Sequence, residues 1–175
     1  EAIRAGRTLY TPVAGLPELR AAASSWINST YGTNFSVEET LVTCGGKFAI
    51  FAALQACVRP GDEVIIVSPY WVSYPAMVRI FGGKPVIVKT FATENWALQT
   101  DLVAQAISPR TKMIIINNAG NPTGVLYDKT TIERLVSLVV HHNIILLSDE
   151  VYSGLTYEGE YISAGSFASG RANVV

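Results

Sequence analysis

Leu146-Leu147-Ser148-Asp149-Glu150-Val151-Tyr152 is an apolar run that ends in an acid, with a tyrosine three residues beyond it. A carboxylate at the carboxyl end of a buried strand is costly unless it meets a cation or several donors, so Asp149 demands a partner. A metal-holding acid of a nucleotide hydrolase has this pattern, but the phosphate loop such an enzyme needs is missing. Gly46-Lys47 is followed by Phe48, and Leu41 stands where the first glycine of G-x-x-x-x-G-K-[ST] belongs. No G-x-G-x-x-G occurs, which argues against a nicotinamide dehydrogenase. The remaining partner is a protonated ring nitrogen. With Asn121-Pro122-Thr123-Gly124 upstream, the segment outlines a site for a cationic heterocycle.

Four further pieces could serve such a site, and each has an ordinary alternative. Thr43-Cys44-Gly45-Gly46-Lys47 lies between an apolar segment and a predicted helix, where paired glycines let backbone N–H groups approach an anion. A tight turn with no ligand explains the same glycines equally well. Trp71, in Pro69-Tyr70-Trp71, offers a flat face just past a predicted strand, although core packing is the commoner use of an indole. Asn121 is held extended by Pro122 and can aim its amide at the sheet edge, or simply form an Asn-Pro turn. Tyr152 stands about one turn past Asp149 if the chain turns helical there, and packing would account for it as well.

These residues need a frame. Short β-rich runs alternate with amphipathic segments, which is the pattern of a parallel sheet covered by helices. Strands are predicted at 63–68, 85–89, 112–117 and 143–148, each nearly all apolar, as strands buried on both faces should be. Ile132, Leu135, Val136, Val139 and Val140 mark one face of a helix with Asp128 as N-cap. A first helix begins near Pro17 with Leu19, Ala23, Trp26 and Ile27 on its inner side. Another runs from about Gly46 through Val58 and ends before Arg59-Pro60-Gly61-Asp62. Ligands of such sheets sit outside the carboxyl ends of the strands. Trp71, Asn121 and Asp149 all fall there.

Composition narrows the classes. Only 15% of the 175 residues are charged and 49% are hydrophobic, against roughly 25% charged in an ordinary soluble domain. So little polar surface suits the inner part of a larger protein or half of a close oligomer. A net charge of -1 gives no basic field for nucleic acid. No apolar run approaches the roughly 18 residues of a spanning helix and no signal-peptide layout opens the chain, so no membrane partner and a cytoplasmic location are expected. Cys44 and Cys57 lack metal-ligand spacing and are expected to be reduced, in packed core. No metal site is predicted. The chain opens on Glu1 and closes on Asn173-Val174-Val175, a strand just beginning, so both ends are expected to be cut from something longer.

Taken in order, the pieces resemble the class I aminotransferases of the fold-type I pyridoxal-phosphate enzymes, in wording nearest the aspartate and prephenate subgroup. The resemblance runs from Tyr10-Thr11-Pro12-Val13-Ala14-Gly15 through Gly45-Gly46-Lys47, Pro60-Gly61-Asp62-Glu63-Val64, Pro69-Tyr70-Trp71-Val72-Ser73-Tyr74-Pro75 and Asn121-Pro122-Thr123-Gly124 to Ser148-Asp149-Glu150-Val151-Tyr152. It implies a three-layer, doubly wound α/β fold with a mostly parallel sheet. Residues 1–15 would be an extended arm near a dimer interface, residues 16–175 an incomplete pyridoxal-phosphate-binding large domain, and the small domain would be absent.

The resemblance also implies roles. Gly45, Gly46 and Lys47 would give backbone donors to the phosphate of pyridoxal 5'-phosphate, and Trp71 would stack on its ring. Asn121 and Tyr152 would bind the 3-oxygen, Asp149 would pair with the ring nitrogen, and Tyr10 would reach the phosphate of the neighbouring subunit in a homodimer. The reaction implied moves an amino group between an amino acid, aspartate-like by preference, and a 2-oxo acid. The family's Schiff-base lysine is expected beyond Val175, because Lys47, Lys84, Lys89, Lys112 and Lys129 all precede Asp149 and none sits in its motif. The chain alone is therefore expected to be inactive. Two other readings stay open: another pyridoxal-phosphate enzyme such as a β-lyase, and a non-catalytic α/β binding or oligomerisation module.

Overall fold

Runs of Ile and Val with turn formers at both ends become four parallel strands in the computed structural model, which describes residues 1–167, 169 and 172–175. They are β1 (Glu63–Ser68), β2 (Lys84–Lys89), β3 (Thr111–Asn117) and β4 (Ile145–Asp149), ordered β2-β1-β3-β4. Helix α3 (Ser73–Ile80) carries the chain from β1 to β2, α4 (Thr100–Ala106) from β2 to β3, and α5 (Lys129–His142) from β3 to β4. Ahead of the sheet come α1 (Pro17–Tyr31) and α2 (Gly46–Cys57). The winding direction reverses between β1 and β3, and a crevice opens at that point beyond the strands' carboxyl ends.

Alternate residues of each strand feed two cores. On one face Val64, Ile66, Met113, Ile115 and Leu147 pack under Ile50 and Leu54 of α2 and Tyr74, Met77 and Val78 of α3. On the other Ile65, Val67, Ile114, Ile116 and Leu146 pack under Val103 of α4 and Ile132, Leu135, Val136 and Val139 of α5. Burying each such aliphatic side chain contributes about 1.5–3 kcal/mol. The result is the three-layer, doubly wound α/β fold that the sequence predicts. Val174 forms an isolated parallel bridge to Leu146, within the segment where the sequence predicts a strand to begin.

Several expectations need correction. β4 starts at Ile145 rather than Asn143, because Asn143 adopts φ 51 and closes α5 with its N–H on the Val139 and Val140 carbonyls. β2 is an edge strand, so Lys84, Ile87 and Lys89 are exposed rather than buried on both faces. In α1, Leu19 and Trp26 point outward. Ala23 and Ile27 are part-buried as expected, but polar contacts share that side: Arg20 donates to the Thr40 and Val37 carbonyls, while the Asn28 amide nitrogen donates to the Phe35 carbonyl and its amide oxygen accepts the Phe35 N–H. The loop at 33–40 has carbonyls and N–H groups to satisfy, and α1 satisfies them. Val140 lies at the margin of the α5 stripe and is half exposed. Cys44 is exposed, because the extended segment at 41–44 pairs with no strand; both cysteines are free.

Candidate functional site

Three carboxyl-terminal strand ends and the amino end of α2 surround an open cleft of about 230 Å³. That lies below the roughly 300–1,000 Å³ of pockets for drug-sized ligands, which favours a single small ring. β4 delivers Asp149, its last residue, opposite Asn117 of β3. Asn117 then ties the two strand ends together. Its amide nitrogen donates to the Asp149 carbonyl at 2.9 Å, and its amide oxygen accepts the Asn121 N–H at 2.7 Å.

The loop after β3 places Asn121. Gly120 must be glycine there, since a Cβ would stand 2.8 Å from Thr123 Oγ1. The loop is closed by Gly120 N–H on the Val125 carbonyl and Gly124 N–H on the Gly120 carbonyl. Asn121 Nδ2 donates to the Tyr152 hydroxyl at 3.3 Å, so amide and phenol face the cleft as a pair. Tyr152 arrives by the turn that follows β4 and leads into a 3-10 turn at Ser153–Leu155.

The amino end of α2 supplies the opposite wall. Gly45 takes φ 106, which a side chain would oppose, and no side chain caps the helix. The first N–H groups of a helix have no acceptor within it, and the dipole leaves them partly positive. A Cβ on Gly46 would meet nothing within 4 Å, so protein packing is not the reason for that glycine. Lys47 also lines the cleft, with its ammonium 5.0 Å from the centroid of the Trp71 ring, a cation–π distance. Trp71, just past β1, is half-buried.

Behind Asp149 stands a residue that the sequence marks only weakly. Tyr74, on the first turn of α3, is almost fully buried and donates its hydroxyl to Asp149 Oδ2 at 2.5 Å. Burial first, and the carboxylate second, hold that hydroxyl well above the usual tyrosine range, so it stays a donor. Its ring meets Trp71 edge-on, centroids 5.4 Å apart. Its i, i+3 spacing from Trp71 was the one available signal. Asn117, Ile50 and Val151 also line the cleft without having been singled out. Glu150 turns away, accepting from Ser148, Ser163 and the Ala164 N–H.

The cleft thus gathers Gly46, Lys47, Trp71, Asn121, Asp149 and Tyr152, with Gly45 adjoining as the cap of α2. Tyr10 is elsewhere, fully exposed on the arm. A carboxylate beside an amide–phenol pair, an indole face and an uncapped helix end make a donor and acceptor set for a flat ring. Such a ring would bear a cationic nitrogen, a nearby oxygen and an anionic tail. Among the described residues no cluster of His, Cys, Asp and Glu is placed to hold a metal, and no helix is long and apolar enough to cross a membrane.

Residues 1–175 match the family described as "Aminotransferase class I and II". The aspartate/prephenate aminotransferase of Thermus thermophilus is 48% identical over 167 residues, covering 95% of this chain and 43% of that protein. The aspartate aminotransferase of Sulfolobus acidocaldarius is 41% identical over 91% of this chain and 40% of its own length. A solved aspartate aminotransferase from Thermus thermophilus with maleate superposes at a TM-score of 0.96 with 46% identity, covering 99% of this chain and 45% of that one. An aromatic aminotransferase from Pyrococcus horikoshii superposes at 0.94 with 33% identity, over 99% and 47%. The chain spans less than half the length of these relatives.

Proposed function

We propose, from the premise that this chain belongs to the class I and II aminotransferases, that it is the cofactor-binding part of an enzyme moving an amino group between an aspartate-like amino acid and a 2-oxo acid. The observation that carries the reading is the meeting of Trp71, Asn121, Asp149, Tyr152 and the start of α2 around one small cleft. The aspartate preference is supported by the names of several relatives, the Thermus thermophilus and Sulfolobus acidocaldarius aspartate aminotransferases among them.

The family implies pyridoxal 5'-phosphate, and the cleft's residues suit it. Asp149 would face the ring nitrogen, Asn121 with Tyr152 the ring oxygen, Trp71 the ring plane, and the amino end of α2 the phosphate. When bound, that group supplies an electron sink for charge developing at the substrate's α-carbon. The chain's own residues do the holding. Asp149 accepts the Tyr74 hydroxyl through one oxygen, while Ile50 and Val151 add apolar side chains to the cleft's lining. Residues 1–15 are read as an arm reaching a second copy in a homodimer, with Tyr10 as its polar contact. The covalent amine is assigned outside this chain. A cytoplasmic setting suits the two free cysteines.

Expressed with its natural flanking sequence, the protein should convert aspartate and a 2-oxo acid acceptor into the matching oxo acid and amino acid. Release of ammonia without any acceptor would mean elimination and overturn the reading. Borohydride trapping with pyridoxal phosphate, followed by peptide mapping, should leave all of Lys47, Lys84, Lys89, Lys112 and Lys129 unlabelled. Label on any of them would overturn the placement of the amine.

A further inference from the structure

Tyr74 touches two of the cleft's ring-holding groups at once. Its phenol donates to Asp149 Oδ2, and its ring stands edge-on to Trp71 at an interplanar angle of 84°. The side chain is 1% exposed, and Met77 and Val78 of the same helix are sealed against the sheet, so neither contact is free to wander. The two oxygens of Asp149 are unequal. Oδ2 takes the phenol, whereas Oδ1 is met by the Val151 N–H at a long 3.3 Å.

A fixed donor on one oxygen hinders rotation of a carboxylate about its last torsion, which is otherwise broad and nearly two-fold. Hydroxyl bonds to an ionised oxygen are also roughly twice as strong as neutral ones. They favour the charged carboxylate over the protonated acid.

We propose that Tyr74 is a positioning residue for the cofactor's ring nitrogen: it locks Asp149 through Oδ2, leaves Oδ1 as the acceptor for the ring, and keeps the shared proton on the ring. This rests on the cofactor reading above and adds the group through which Asp149 acts. Without the phenol, negative charge on Asp149 is less well held. The proton then moves from ring nitrogen toward carboxylate, and the ion pair becomes a neutral pair.

The test uses the protein with its natural flanking sequence, freed of cofactor. One probe is pyridoxamine 5'-phosphate with isotopically labelled ring nitrogen, and the other is its carbocyclic analogue with C–H in place of that nitrogen. Tyr74→Phe keeps the ring against Trp71 and removes only the hydroxyl. It should weaken pyridoxamine 5'-phosphate about tenfold or more while leaving the analogue within about twofold. The nitrogen resonance should move from pyridinium toward neutral pyridine. Equal losses for both probes, or an unmoved resonance, would make Tyr74 merely structural and overturn the proposal.

Should Tyr74→Phe fail to fold, Tyr74→fluorotyrosine retains shape and donor and carries its own signal. Its fluorine resonance should shift when pyridoxamine 5'-phosphate binds and stay in place when the carbocycle binds; the same response to both overturns the proposal. A protein that binds neither probe defeats the cofactor reading itself, and this inference with it. One that binds both, with a ratio untouched by Tyr74→Phe, defeats this inference alone.

Discussion

Asp149 ends β4 with one oxygen on the Tyr74 phenol and the other met by the Val151 N–H at 3.3 Å, an arrangement that suits the ring nitrogen proposed for it. Asp149→Asn keeps the shape and removes the charge. Loss of one preorganised electrostatic partner in a poorly solvated site costs about 10²–10³ in rate, so kcat for amino transfer should fall by about that factor, read from steady-state kinetics. A loss under about threefold would sink the pairing. At this scale the sequence was legible for groups that announce themselves by type and place. Asp149 after an apolar run, Asn121 before a proline and Trp71 past a strand all line the cleft. Tyr74 was not legible, because its hydroxyl meets a carboxylate 75 residues away and nothing local records that distance. Cys44 misled for the same reason: Leu41 and Val42 before it suggest core, yet the segment pairs with no strand and leaves the thiol exposed.

The elements carry a second charged cluster, at the amino ends of the strands and opposite to the cleft. Glu63 opens β1 and is buried. It accepts from Ser108 at 2.6 Å, Arg110 at 2.9 Å and Lys84 at 3.2 Å, which ties the starts of β1, β2 and β3. The Ser108 hydroxyl first, then the arginine and lysine, bring its carboxyl down to about 2 from an ordinary 4.5. Between those values the unfolded chain binds the extra proton, so stability rises with pH. The contribution of Glu63 is fully present above about 4.5 and is lost as the pH falls toward 2. Urea unfolding at stepped pH should show that slope, and Glu63→Gln should flatten it; an unchanged slope would assign the acid sensitivity elsewhere. Strands and α5 were legible as elements because their periodicity is local. Which strand forms the edge was not, since β2 is nearly as apolar as β1 and only its place in the order exposes it. α1 shows the converse: its apolar residues suggested an inner face, but the unpaired backbone of the 33–40 loop claimed part of that face for Arg20, Ser24 and Asn28.

For the molecule as a whole, the arm and α1 expose several large apolar side chains, with Ile3, Leu9, Tyr10, Val13 and Trp26 all largely bare. Such a surface fits the proposed homodimer better than a solitary domain. If Tyr10 reaches the partner's phosphate, Tyr10→Phe should loosen pyridoxal phosphate by about 10–150-fold, the worth of one hydrogen bond to a charged group. The dimer should stay intact by sedimentation. Unchanged cofactor affinity would remove Tyr10 from the site. By itself the sequence determined the α/β class, the strands, the capped α5 and the family, because alternation, turn residues and ordered motifs are written along the chain. Only the tertiary structure decided that the start of α2 and the ends of β1, β3 and β4 share one cleft, that Asn117 splices two of them, and that Tyr74 holds Asp149. Those facts are distances between residues remote in sequence, set by how the sheet is ordered and wound.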